Sequence, residues 1–84
     1  MECYIISFLV TDNTLFIGKE NFTIEIYAIN HFQKLKNFIK VESLPTIIQV
    51  FSDFLFVSNH LNNIIVYDQT RNYMYIETLK SHEN

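Results

Sequence analysis

The chain has 84 residues, which bounds it to one small domain. It is 49% hydrophobic and 15% aromatic, too apolar for a disordered segment and suited to packed β-structure. A net charge of −3 with six Lys and Arg side chains lacks the basic surface that releases counterions from phosphates, which argues against nucleic acid as a partner.

Taken in order, the apolar run Ile5 to Val10 ends at Thr11-Asp12-Asn13-Thr14, whose Asp and Asn favour a tight turn. Before it, Met1-Glu2-Cys3-Tyr4 has no basic n-region, and Ile5 to Val10 is far too short to span a bilayer, so neither a secretory leader nor a membrane segment is expected. The single Cys3 fits a reducing compartment, and the expected location is the cytoplasm, with the nucleus as alternative. Leu15 to Gly18 predicts a short second strand, Lys19 to Phe22 a turn, and the β-branched stretch Thr23 to Tyr27 a third strand. Gln33 to Ile39 predicts a fourth, outermost strand, because Lys34 and Lys36 are charges that blunt an exposed edge. Four more strands follow at Thr46 to Phe51, Phe54 to Ser58, Asn63 to Tyr67 and Tyr73 to Leu79. Pro45 suits a strand entry, where no ladder donor is needed, so Lys40 to Pro45 is read as a boundary.

Shifted by forty residues, the chain matches itself without a gap. Leu15-Phe16-Ile17 falls on Leu55-Phe56-Val57, and Ile24-Glu25-Ile26-Tyr27 falls on Ile64-Ile65-Val66-Tyr67. Glu2 meets Glu42, Val10 meets Val50 and Lys40 meets Lys80. A period of about 40 to 45 residues is the length of a four-stranded propeller blade. The one glycine, Gly18, is replaced by Ser58 in the second copy; Asn13, Asn21, Asn59, Asn62, Asn63 and Asn72 are expected to supply left-handed turn positions instead. Both faces of the short strands are apolar, Leu and Ile or Val on one side and Phe on the other, as in a sheet covered on both sides. Tyr27 and Tyr67 end their strands as expected wedges between stacked sheets.

The chain at this point resembles the WD-repeat propeller family, whose third strand closes with an aromatic-Asp pair: Tyr67-Asp68 holds that place, and Tyr27-Ala28 holds it in the first unit. Leu79-Lys80-Ser81-His82 is similar to the Gly-His element that opens a repeat, with Ser in place of Gly, so His82 would begin a third unit. Glu42 stands at the equivalent point of the second unit, and the family's usual turn Asp is missing from Lys19 to Phe22 and from Asn59 to Asn62. The expected fold is therefore all-β: two four-stranded antiparallel blades of an incomplete β-propeller, the first over 1–44, the second over 45–84 with the start of a third repeat. Closed propellers use roughly four to eight blades, and repeats need roughly three stacked neighbours for stability. The chain is accordingly expected to be a segment of a longer propeller, to associate with copies of itself into a ring, or to dock into a larger assembly.

Chemistry finds little foothold. His31, His60 and His82 have no ligand spacing, and neither a metal nor another cofactor is expected. Ser58, His60 and Asp53 would make a nucleophilic triad only in a geometry that no elbow motif supports. Glu20 and Asp53 read as solvated turn carboxylates. Phe32, Lys34, Lys36, Phe38 and Lys40 mix aromatic and basic groups as single-strand binders do, but edge protection with Phe38 packed inward is the stronger reading in an acidic chain. Asn21-Phe22-Thr23 matches a glycosylation acceptor without a secretory signal to give it meaning. The function expected is a noncatalytic protein-protein interaction scaffold, with Asn59, His60, Leu61 and Asn62 as partner contacts. The alternative is part of a propeller enzyme or ligand-binding propeller whose site lies in missing blades; Ser7 and Gln49 are too few polar groups to form one here.

Overall fold

The computed structural model describes residues 3–32 and 34–80. Strands β1 (Ile5–Val10), β2 (Thr14–Lys19), β3 (Thr23–Ala28) and β4 (Leu35–Lys40) pair antiparallel in chain order. Strands β5 (Pro45–Phe51), β6 (Phe54–Asn59), β7 (Asn63–Asp68) and β8 (Met74–Lys80) do the same in a second sheet. The molecule is all-β with two four-stranded antiparallel sheets, and the lysine-bearing β4 is an edge strand as the sequence predicts.

The forty-residue repeat extends to the hydrogen-bond register. Val10 pairs with Leu15 as Val50 pairs with Leu55, and Ile24 pairs with Ile39 as Ile64 pairs with Leu79. The irregularities repeat too: a shift between Ile5 and Ser7 recurs between Pro45 and Ile47, and one between Ile26 and Tyr27 recurs between Val66 and Tyr67. Bulges bend a strand and increase its local twist, so matched bulges give the two sheets matched curvature.

The two sheets meet through unlike faces. The first presents its front, the face carrying Phe16, Ile24 and Ile26, all fully buried. The second presents its back, with Ile48, Leu55, Val57, Ile65 and Tyr67 in the same core. Side chains alternate between faces along a strand, and directly paired residues share a face, so most of the other half of each apolar set is left outside, Val66 at 8% being the exception. The back of the first sheet exposes Phe8, Val10, Leu35 and Phe38; the front of the second exposes Ile47, Phe51, Phe54, Ile64 and Leu79. Phe38, expected to pack inward, stands 51% exposed because its pairing with Glu25 puts it on the uncovered back. Tyr67 is a wedge between the sheets, whereas Tyr27 lies on the uncovered back of the first and donates its hydroxyl to Glu25 at 2.8 Å.

The sheets approach along β1 and β5. There Ser7 Oγ donates to the Pro45 carbonyl at 2.6 Å, and Gly18 leaves room: a Cβ on it would sit 2.5 Å from Ser7 Oγ and 3.0 Å from Pro45 Cγ. Farther out, Tyr73 meets Phe16 edge-to-face at 6.1 Å, and Asn37 Nδ2 donates to Asn72 Oδ1 at 2.9 Å.

The turns depart from expectation. Asn62 and Asn72 are left-handed, but so are Phe22, Ser52 and Tyr73, none of which has the local advantage of Asn or Gly. Asn13 and Asn59 instead use their side chains as acceptors. Strand β8 starts at Met74 rather than Tyr73, since Asp68 accepts from Thr70 N at 2.9 Å and caps a 3-10 turn at Gln69–Arg71, after which two left-handed residues redirect the chain. The proposed fourth-strand start at Gln33 and the third-unit start at His82 lie outside the described residues.

Candidate functional site

The end of β6 and the β6–β7 turn hold the four candidate contact residues, Asn59, His60, Leu61 and Asn62. Asn59 is 6% exposed, and its Oδ1 accepts from Leu61 N at 3.0 Å and Asn63 N at 3.2 Å, closing the turn on itself. The Asn62 amide adds a bond to the Asn59 carbonyl, with Asn62 left-handed at φ 65°. Asn59 is thus internal support, and only His60, Leu61 and Asn62 offer side chains to solvent. Leu61 is 60% exposed, so it does not fold back onto the sheet.

His60 has a partner that sequence reading missed. Its Nδ1 lies 2.7 Å from Oγ of the buried Ser43, which ties the turn to the β4–β5 connection. The signal was present but weak: Ser43 follows Glu42 at the repeat boundary, where the resemblance places a polar element. With the turn closed by Asn59 and pinned by Ser43, Leu61 is displayed on a backbone of restricted freedom.

Beside this turn a cleft of about 550 Å³ opens between the β4–β5 connection and the back of the second sheet. Buried Tyr67 and exposed Tyr75 both line it and meet edge-to-face, 6.4 Å between ring centres. Burial, followed by the charges of Glu42 and Tyr75, holds the Tyr67 phenol above its ordinary pKa and therefore neutral. Lys40, Glu42 and Lys80 stand at the rim with Leu61. Aromatic rings, charged side chains and the apolar Leu61 thus surround one cleft.

The structure does not assemble the alternative sites. Asp53 and His60 lie at opposite ends of β6, roughly 20 Å apart by strand rise, so Ser58, His60 and Asp53 do not converge. Ser7 is committed to the Pro45 carbonyl, and Gln49 lies on the uncovered front of the second sheet. Phe32, Lys34, Lys36 and Lys40 are exposed along the outer edge of the first sheet. Among the described residues, no three His, Cys, Asp or Glu side chains are placed to hold a metal ion, and no helix is long and apolar enough to cross a membrane. A scan of protein-family models and a search of curated proteins returned no match to this chain.

Proposed function

We propose that the chain is a noncatalytic protein-binding scaffold made of two WD-repeat-like propeller blades. The observation that carries this reading is the β6–β7 turn: an exposed Leu61 on a turn fixed by Asn59 and by the Ser43–His60 bond, at the edge of a cleft lined by Tyr67 and Tyr75. A contact loop braced before binding loses less freedom when a partner arrives. The apolar character of both sheet faces and the period of the repeat support the blade assignment.

The test is affinity capture with quantitative mass spectrometry, comparing the wild-type chain with Leu61→Asp. The substitution puts a charge at the proposed contact and is expected to reduce retention of specific partners by about tenfold or more. Partners held equally by both would overturn the assignment of the turn. Binding of a small molecule in the cleft at micromolar levels, unaffected by Leu61→Asp, would favour the ligand-binding propeller instead.

A further inference from the structure

The internal joint between the sheets describes a second joint that the described residues leave open. Within the chain, the front of the first sheet packs on the back of the second. Forty residues on from buried Phe16, Ile24 and Ile39 stand Phe56, Ile64 and Leu79 on the accessible front of the second sheet, with Val66, the counterpart of Ile26, buried at 8% among them. Forty residues before the buried set Ile48, Leu55, Val57 and Tyr67 stand Phe8, Leu15, Ile17 and Tyr27, which form the uncovered back of the first. Each end of the stack is therefore chemically the partner of the other end, in a register the chain already uses.

We propose that these two faces are joined by a second copy of this chain, stacked head to tail, so that copies of the two-sheet unit close into a ring. The inference rests on the blade reading above. A head-to-tail contact gives a ring when its rotation closes, and at roughly four to eight sheets per ring this means about two to four copies. Two features distinguish the copy-to-copy joint from the internal one. Ser58 and Ile47 replace Gly18 and Ser7 at the inner strands, so the close approach that Gly18 permits is wider there. Glu25 occupies the place of buried Ile65, and it enters the joint with Lys19 Nζ at 3.4 Å and the Tyr27 hydroxyl at 2.8 Å already in place. A charge that carries its partners into an interface avoids much of the penalty of an unpaired one.

The experiment measures solution mass over a broad concentration range for the wild-type chain, for Phe8→Lys on the free back and for Ile64→Lys on the free front. Both residues are exposed, at 67% and 38%, so the single chain tolerates the substitutions. The wild type is expected to reach a fixed multiple of its 10.0 kDa mass and stop. Each variant is expected to stay monomeric, and an equimolar mixture of the two to give a species of two chains and nothing larger, since each supplies the face the other lacks. A wild type that remains monomeric throughout, assemblies that survive both substitutions, or a different protein occupying these faces would overturn the inference. The Leu61→Asp capture result is scored separately, so a monomeric wild type leaves the scaffold reading standing, and a ring without Leu61-dependent partners sinks that reading alone.

Discussion

The first and second sheets have the same strands, the same register and the same bulges, yet they bury opposite faces. Phe16 has no solvent exposure, while its counterpart Phe56 is half-covered on a free face; Tyr67 is buried, while Tyr27 is on the outside. Identical pattern thus leads to different energetics, because burial is set by a neighbour and not by the strand itself. Stability in such a stack resides in the joints.

Breaking the comparison at its strongest point means substituting counterparts. In the chain at concentrations too low to assemble, Phe16→Ala is expected to cost about 3–5 kcal/mol in urea unfolding, and Phe56→Ala only about 1 kcal/mol. Equal losses would show that the free front is not free. Tyr67→Ala belongs with the larger group, and His60→Ala, which removes one bond to Ser43 from an exposed side chain, costs about 1 kcal/mol.

Gly18 offers a sharper probe. Gly18→Ala must displace the Ser7 hydroxyl from its bond to Pro45 and crowd the proline ring, for about 1–3 kcal/mol. The mirror change, Ser58→Gly, opens no such contact and is expected to cost about 0.5–1 kcal/mol through backbone freedom. Thermal unfolding of the pair separates these values.

The turns give a gain instead of a loss. Phe22 and Asn62 occupy equivalent left-handed positions, at φ 64° and 65°, but only Asn is at ease there. Phe22→Asn is expected to stabilise by about 1 kcal/mol, and Asn62→Phe to destabilise by about as much; a loss on Phe22→Asn would mean that the ring makes contacts worth more than the strain.

The smallest difference lies at the ends of the third strands, where Asp68 of the second sheet holds the place that Ala28 holds in the first. Hydrogen bonding from Thr70, ahead of the nearby Arg71 charge, holds the Asp68 carboxyl below its ordinary pKa of 3.8. A depressed folded pKa contributes stability that is present above the unfolded value and lost as pH falls through the folded one. Asp68→Asn should therefore lower stability at neutral pH and flatten its pH dependence below about pH 4, so that the two proteins converge in acid; a loss of equal size at every pH would point to a cap that does not depend on charge.

Strand positions and pairing order were legible because short apolar runs are bounded by turn residues, the forty-residue repeat recurs and Pro45 marks the joint. The direction of stacking was not: when Leu15 and Phe16 are both apolar, alternation cannot say which side meets a neighbour. Nor could the sequence show that Tyr73 leaves its strand to pack on Phe16, since that contact joins two sheets and overrides a local preference against left-handed tyrosine. At the candidate site the turn was legible but its internal division was not. Asn59 and Leu61 read alike as loop residues, and only the hydrogen bonds separate the brace from the display.

Because front meets back, the stack has a polarity, like a subunit of a linear polymer. In the proposed ring every addition at one end regenerates the same end, so length is limited by curvature alone. The space at Gly18 between β1 and β5 bears on that curvature, and a substitution there that spreads the inner strands would turn a closing arc toward an open fibre.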